Sequence, residues 1–142
     1  MTLIAHRIPQ TTIHPFHGFM LAGSVPLFLG ALLSDIAYAR SYQIQWSNFA
    51  SWLIAGALVF AGIALLCAVI DLFRSGRRSN RGVTYFLLLL ATWILGFVNA
   101  LIHAKDAWAI MPASLILSVI VTVLVFAAAW LGLSTIRVGG AA

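Results

Sequence analysis

Four long apolar runs separated by short polar connections dominate the pattern of the chain. A transmembrane helix rises about 1.5 Å per residue and needs about 20 mostly apolar residues to cross about 30 Å of hydrocarbon. Each run reaches that length, and none alternates apolar and polar residues as a half-buried strand would. The pattern therefore predicts one transmembrane domain over residues 1–142, with spans at about 16–38, 49–72, 82–104 and 112–136.

The composition indicates that lipid, rather than water, surrounds these helices. Hydrophobic residues make up 63% of the 142 residues and charged residues only 8%, proportions that soluble domains do not have. The predicted fold class is therefore an all-α integral membrane protein, a four-transmembrane-helix bundle. The first span resembles a signal peptide because Arg7 precedes it, but the run is too long for one and Asp35 precedes the candidate cleavage site. We expect this span to be retained.

The basic residues predict the orientation of the bundle. The net charge of +5 arises from eight Lys and Arg against three Asp, and basic residues concentrate in cytoplasmic connections. One side of the membrane would receive both termini and the second connection, with Arg7, Arg74, Arg77, Arg78, Arg81 and Arg137. The other side would receive only Arg40 and Lys105. The expected topology is N-in/C-in, and the charge is explained without nucleic acid.

A carboxylate, an imidazole and an amide form a candidate site near the outer face. Asp35 ends the first span, His103 ends the third, and Asn99 lies one helical turn before His103. A histidine beside a carboxylate and an amide can hold a quinone carbonyl and exchange a proton with it. The alternative is an interfacial Asp35 paired with Arg40 and a hydrated His103 beside Lys105.

A second group of polar residues lies at the cytoplasmic end. His14 and His17 are three residues apart and share a face if the helix begins near Pro15. Their imidazoles could serve haem, a metal or a quinone, and Asp71, at similar depth, could orient one of them. The alternative is that the histidines cap the helix and meet lipid headgroups while Asp71 pairs with Arg74.

The different depths of the histidines in the membrane exclude a haem b with both axial ligands from one chain, one from each end of the bundle. Two axial histidines must reach one iron, yet His103 is separated from His14 and His17 by on the order of 25 to 30 Å, most of a helix length. Two histidines on one helical face cannot take opposite axial positions either. A haem would need His6, a second subunit or a non-histidine ligand, so quinone and haem b both stay open as cofactors.

The sequence carries none of the motifs of a self-sufficient enzyme. It has no nucleotide-binding glycine loop, no metalloprotease motif and no paired-cysteine zinc spacing. With no Glu and only three Asp, a metal-dependent hydrolase is disfavoured. The single Cys67 excludes an intrachain disulfide. We therefore expect a chain that is not catalytic alone.

The order of several short motifs resembles the bacterial membrane-protein family catalogued as domain of unknown function 2231. The matching residues, in chain order, are His14-Pro15, Pro26, Asp35, Asp71 and Trp130-Leu131-Gly132. His-Pro-Phe-His at residues 14–17 looks like the mark of a subgroup. Many members look as though they carry a histidine early in the third span, whereas this chain has Tyr85 there. A shared two-histidine cofactor site is therefore not implied.

The resemblance implies a role in electron transport in the bacterial inner membrane. Such proteins look as though they occur beside periplasmic quinoprotein-type dehydrogenases and c-type cytochromes. The chain would then anchor larger redox subunits of a respiratory or dehydrogenase complex and help to pass electrons to quinone or haem. One alternative is a structural or assembly subunit without a cofactor. Another is a small ion or proton transporter, which could be a homo-oligomer.

The expected topology can be tested on the second connection. A membrane-impermeant thiol reagent applied from outside should fail to label an Arg77→Cys variant in intact cells, because this basic segment is expected to face the cytoplasm. Labelling should appear once the membrane is permeabilised. Labelling in intact cells would reverse the orientation and the assignment of the histidines to the two faces.

Overall fold

The computed structural model of the chain describes residues 13–74, 80–105 and 107–134. It contains the helices α1 (Pro15–Ser41), α2 (Ile44–Arg74), α3 (Asn80–His103) and α4 (Ala113–Leu133), and a 3-10 turn at Ala107–Ala109. Each of the four α-helices is long and apolar enough to cross a membrane. The predicted all-α class with four membrane-spanning helices is confirmed, and no strand occurs in these ranges. The N-in/C-in orientation stays a prediction.

The helices extend further into polar sequence than the apolar runs indicate. Helix α1 continues through Pro26 and ends where Tyr42 adopts a left-handed conformation with φ of 53°. The Tyr42 N–H donates a hydrogen bond to the carbonyl of Tyr38 at 2.8 Å. Helix α2 then begins at Ile44, before the predicted residue 49, because polar residues at the membrane surface are compatible with helix. Residues 135–136 of the fourth predicted span lie outside the described residues.

The four helices form a bundle in which sequence neighbours pack side by side. The main contacts join α1 to α2, α2 to α3, α3 to α4 and α4 back to α1, so α1 and α3 face each other across a diagonal. Helix α2 buries a stripe of alanines against its neighbours, formed by Ala50, Ala57, Ala61, Ala64 and Ala68. Small side chains let membrane helices approach closely, which explains how the bundle packs without a water-driven core.

The outer surface of the bundle is apolar, as expected for a protein in lipid. Large apolar side chains point outward along all four helices, among them Leu33, Val59, Leu66 and Val123. In water such a continuous apolar surface would promote association, whereas in a bilayer it faces acyl chains. Trp108 is 82% exposed near the 3-10 turn, consistent with the aromatic residues that anchor membrane proteins at the interface.

Gly132 lies at the tightest contact between α4 and the interior. A β-carbon at this position would lie 2.7 Å from Leu21 Cδ2 and 2.9 Å from Tyr85 Cε2. Both neighbours are buried, with 0% and 8% of their surfaces exposed, so neither can move aside freely. The glycine is therefore required by packing against α1 and α3.

We expect Gly132→Ala to destabilise the bundle by about 1–3 kcal/mol, the usual effect of overpacking a filled core. Unfolding in a titration of sodium dodecyl sulfate into mild-detergent micelles would measure the change. Gly82→Ala is the matched control, because a β-carbon there meets nothing within 4 Å. Equal stability of the two variants would contradict the packing explanation.

Candidate functional site

Asp35 lies inside the bundle near the C-terminal end of α1. Its side chain is fully buried, with 0% exposure. It follows Leu21 and Phe28 at intervals of seven residues, and all three lie on the buried stripe of α1. The helical repeat therefore turns this carboxylate toward α3 and α4. The alternative in which Asp35 is interfacial and paired with Arg40 does not match this position.

Asp35 is held by hydrogen bonds from two other helices. His103 Nε2, at the end of α3, lies 2.8 Å from Asp35 Oδ1. Ser118 on α4 donates from Oγ to Asp35 Oδ2 at 2.5 Å. Asn99 donates from Nδ2 to Ser118 Oγ at 2.8 Å, and His103 Nδ1 lies 2.9 Å from the Asn99 carbonyl oxygen. The contacts form a closed ring that joins α1, α3 and α4.

The ring fixes where one imidazole proton lies. A backbone carbonyl oxygen only accepts hydrogen bonds, so His103 Nδ1 must carry a proton and donate it to Asn99. The bond between His103 Nε2 and Asp35 Oδ1 then contains one further proton, which makes the pair neutral whichever atom holds it. Neutrality as a pair is what allows both groups to be buried at the end of a membrane span.

An open cleft with several polar side chains in a mainly apolar wall lies beside this ring. His103, which is 8% exposed, lines the cleft together with Ile44, Gln45, Ser47, Asn48, Ser51 and Lys105. Its volume is about 400 Å³, within the range of small-molecule sites. The side chains of Gln45, Asn48 and Lys105 carry hydrogen-bond donors, whereas the Ser51 hydroxyl donates to the Ser47 carbonyl at 2.9 Å. The cleft can therefore present donors to a ligand that has carbonyl oxygens.

Asn99 has one polar atom that the ring does not use. Its Oδ1 is buried, and it has no hydrogen-bond partner among the described residues. A buried acceptor without a partner destabilises the folded state by about 1–3 kcal/mol. The Asn99 side chain therefore acts in the ring only as a donor, and its Nδ2 group orients the Ser118 hydroxyl.

The second polar group lies at the opposite end of the same two helices. His17 on α1 is 2% exposed, and its Nε2 lies 2.8 Å from the Tyr85 hydroxyl on α3. Its Nδ1 lies 3.4 Å from Asp71 Oδ2 on α2, whose side chain is 61% exposed. This approach is close enough for attraction between charges, but it lacks hydrogen-bond geometry.

His14 does not join His17. It precedes the first turn of α1, is exposed, and accepts a hydrogen bond from the Phe16 N–H on Nδ1 at 3.3 Å. The two imidazoles therefore have different surroundings, because His14 is an exposed N-cap and His17 is buried. This is the capping role anticipated as the alternative. Within the described ranges, no three His, Cys, Asp or Glu side chains are grouped so that they could hold a metal ion.

Sequence reasoning missed two members of these groups, Ser118 and Tyr85. Ser118 follows Ser114 by four residues on the buried stripe of α4. The sequence therefore indicates that the two serines share a helix face, but it does not indicate which residue Ser118 bonds. The sequence draws attention to Tyr85 only because it stands where many members of the resembling family look as though they carry a histidine. Both bonds join residues far apart in the chain, 83 positions for Ser118 and Asp35 and 68 for His17 and Tyr85. Local sequence carries no signal for such pairings.

Comparison with known protein families gives a match over most of the chain. The model of a family described as "predicted membrane protein (DUF2231)" matches residues 13–140, which includes both polar groups. No curated protein and no solved structure matches the chain.

Removal of the central carboxylate should destabilise the end of the bundle at which the ring lies. We expect Asp35→Ala to destabilise the protein by about 3–5 kcal/mol, because His103 and Ser118 would stay buried without their partner. Asp71→Ala serves as the control, with an expected change of about 0–1 kcal/mol since its side chain is mostly exposed. Detergent unfolding titrations of both variants test this difference, and equal losses would contradict it.

Proposed function

This chain belongs to the DUF2231 family of membrane proteins, and from that premise we propose that it is a quinone-binding anchor subunit of a larger redox complex. Its place would be the bacterial inner membrane, with both termini in the cytoplasm. The observation that carries the proposal is the neutral Asp35–His103 pair in the wall of a donor-lined cleft. Such a pair stores a proton beside a ligand site at the end of a membrane span.

The chemistry of the cleft suits a quinone headgroup. Quinone carbonyl oxygens accept hydrogen bonds, and the amides of Gln45 and Asn48 and the ammonium of Lys105 can donate them. Reduction of a quinone to a quinol takes up two electrons and two protons. The electrons would come from a redox centre of the partner complex, since cofactors carry such chemistry. Both protons would enter through water in the open cleft, because both nitrogens of His103 are bonded inside the ring. The Asp35–His103 pair would be the nearest store of exchangeable protons for that water.

The same geometry disfavours His103 as a ligand to haem iron. An axial imidazole must offer a nitrogen lone pair to the metal. In the ring, Nδ1 carries a proton donated to Asn99, and Nε2 is bound to Asp35. An iron at Nε2 would displace the buried carboxylate. Quinone is therefore the cofactor that the site supports better.

A purely structural role is the second candidate, and one observation favours it. The ring closes on itself: it begins at the Asn99 side chain and returns to the Asn99 carbonyl oxygen. Polar side chains that hydrogen-bond across helices stabilise membrane bundles by about 0.6–2 kcal/mol each. A ring of this kind could serve only to fasten α1 to α3 and α4 in an assembly subunit.

Ligand binding separates the two candidates. Decylubiquinone binding to the purified protein in mild detergent can be measured by quenching of tryptophan fluorescence. We expect the Gln45→Ala variant to bind about tenfold more weakly, because the loss of one hydrogen bond to the ligand costs about 1.4 kcal/mol. Gln45 lines the cleft but lies outside the buried ring, so the fold should be retained. His14→Ala at the opposite end is the control and should bind as the wild type does.

Three outcomes would decide against the quinone site. Equal affinity in the wild type and Gln45→Ala would mean that the quinone merely partitions into the micelle. No saturable binding, with partner subunits still copurifying from native membranes, would favour the structural role. A Soret band in the oxidised and dithionite-reduced absorbance spectra would show that the protein binds haem rather than quinone.

A further inference from the structure

His17, Tyr85 and Asp71 come from three different helices and meet at the end of the bundle away from the quinone cleft. The Tyr85 hydroxyl lies 2.8 Å from His17 Nε2, and Asp71 Oδ2 lies 3.4 Å from His17 Nδ1. Tyr85 is 8% exposed and His17 is 2% exposed, whereas Asp71 is 61% exposed. The group thus leads from a buried phenol, through an imidazole, to a carboxylate in contact with the surroundings.

The carboxylate determines how the protons are arranged along this group. A negative charge beside Nδ1 favours the tautomer of His17 that carries its proton on Nδ1. Nε2 then keeps a free lone pair, so the Tyr85 hydroxyl is the donor and His17 the acceptor. The order is therefore phenol O–H to imidazole, and imidazole N–H toward carboxylate. An imidazole within hydrogen-bond reach of a hydroxyl group can remove its proton, and the Asp71 carboxylate at 3.4 Å favours the charge that His17 then carries.

We propose that Tyr85 is a redox-active tyrosine whose phenolic proton moves to His17 when the ring loses one electron. The electron passes to a one-electron oxidant, such as an oxidised metal centre of a redox partner protein. The O–H bond of Tyr85 breaks, an N–H bond forms at His17 Nε2, and a neutral phenoxyl radical and an imidazolium result. The radical returns to the phenol when an electron and the same proton come back.

Burial is the physical reason for coupling the proton to the electron. Loss of an electron without loss of the proton would leave a positive charge on a phenol ring in an apolar interior, which is strongly unfavourable. Transfer of the proton over a hydrogen bond of 2.8 Å keeps Tyr85 neutral. The positive charge then resides on His17, where the Asp71 carboxylate opposes it. The geometry lowers the barrier to oxidation at this tyrosine in particular.

Packing holds the phenol in the required place. The Tyr85 ring contacts the α4 backbone at Gly132, where an added β-carbon would lie 2.9 Å from Tyr85 Cε2. The rings of Tyr85 and His17 lie 5.8 Å apart between centroids and are tilted by 47°. The proton donor and acceptor are thus fixed by the bundle before any oxidant arrives. This inference does not rest on the quinone site, which lies at the other end of the bundle.

The test uses a photogenerated tris(bipyridine)ruthenium(III) oxidant and electron paramagnetic resonance on the full chain in mild detergent. A Cys67→Ala background removes the single thiol as a competing site of oxidation. We expect a tyrosyl signal in this background, its loss in Tyr85→Phe, and its retention in Tyr42→Phe. Tyr42 is 63% exposed at the opposite end of the bundle and serves as the matched control.

Two further measurements distinguish a proton acceptor from a structural contact. His17→Gln keeps a hydrogen-bond acceptor for the phenol but supplies no base, so the signal should fall in a protein that stays helical by circular dichroism. Radical formation in the Cys67→Ala background should also be slower in D2O than in H2O, a measurement that needs no change at Tyr85 or His17. An undiminished signal in Tyr85→Phe or in folded His17→Gln, or equal rates in the two solvents, would overturn the proposal.

Discussion

Polar groups buried at the ends of a membrane bundle must find partners inside it, and this constraint sets the register of the helices. Asp35 follows His17 on α1 by 18 residues, and His103 follows Tyr85 on α3 by the same interval. The two resulting bridges, His17 to Tyr85 and Asp35 to His103, therefore tie α1 and α3 together at both ends. At about 1.5 Å per residue they lie about 27 Å apart, close to the thickness of the hydrocarbon. Between the bridges the interior holds mainly alanines, glycines and large apolar side chains, and the buried hydroxyls of Ser24, Thr92 and Thr122 donate to backbone carbonyls.

The two bridges differ in what surrounds them, and their chemistry differs accordingly. At one end, Asp35 is buried and every strong bond of His103 turns inward, so the ring is neutral and closed except where the imidazole edge meets the cleft. At the other end, Asp71 is exposed and lies beside a buried imidazole. There the exposed carboxylate can oppose a positive charge on the buried imidazole. Under the two proposals, the bundle would hold a proton-storing pair at one end and a tyrosine that passes its proton to an imidazole at the other.

Much of the candidate site follows from helical periodicity once the spans are known. Asp35 lies on the apolar repeat of α1 with Leu21 and Phe28, and His103 follows Asn99 by one turn. Because Asp35, His103 and Asn99 all lie at span ends of the same depth, the sequence alone predicts that they are near one another. The spacing of three did not reveal that His14 caps the helix and stays exposed while His17 is buried. Burial depends on the neighbouring helices, which the local sequence does not describe.

The sequence by itself determined the number of long apolar helices and the position of each polar side chain along its helix, because hydrophobic length and helical rise are local properties. Only the tertiary structure decided that Ser118 completes the ring and that Tyr85 meets His17. These partners come from helices that could pack in several rotations about their own axes. Contacts such as the close approach of Gly132 to Tyr85 select one rotation, and that selection depends on side chains distant in the chain.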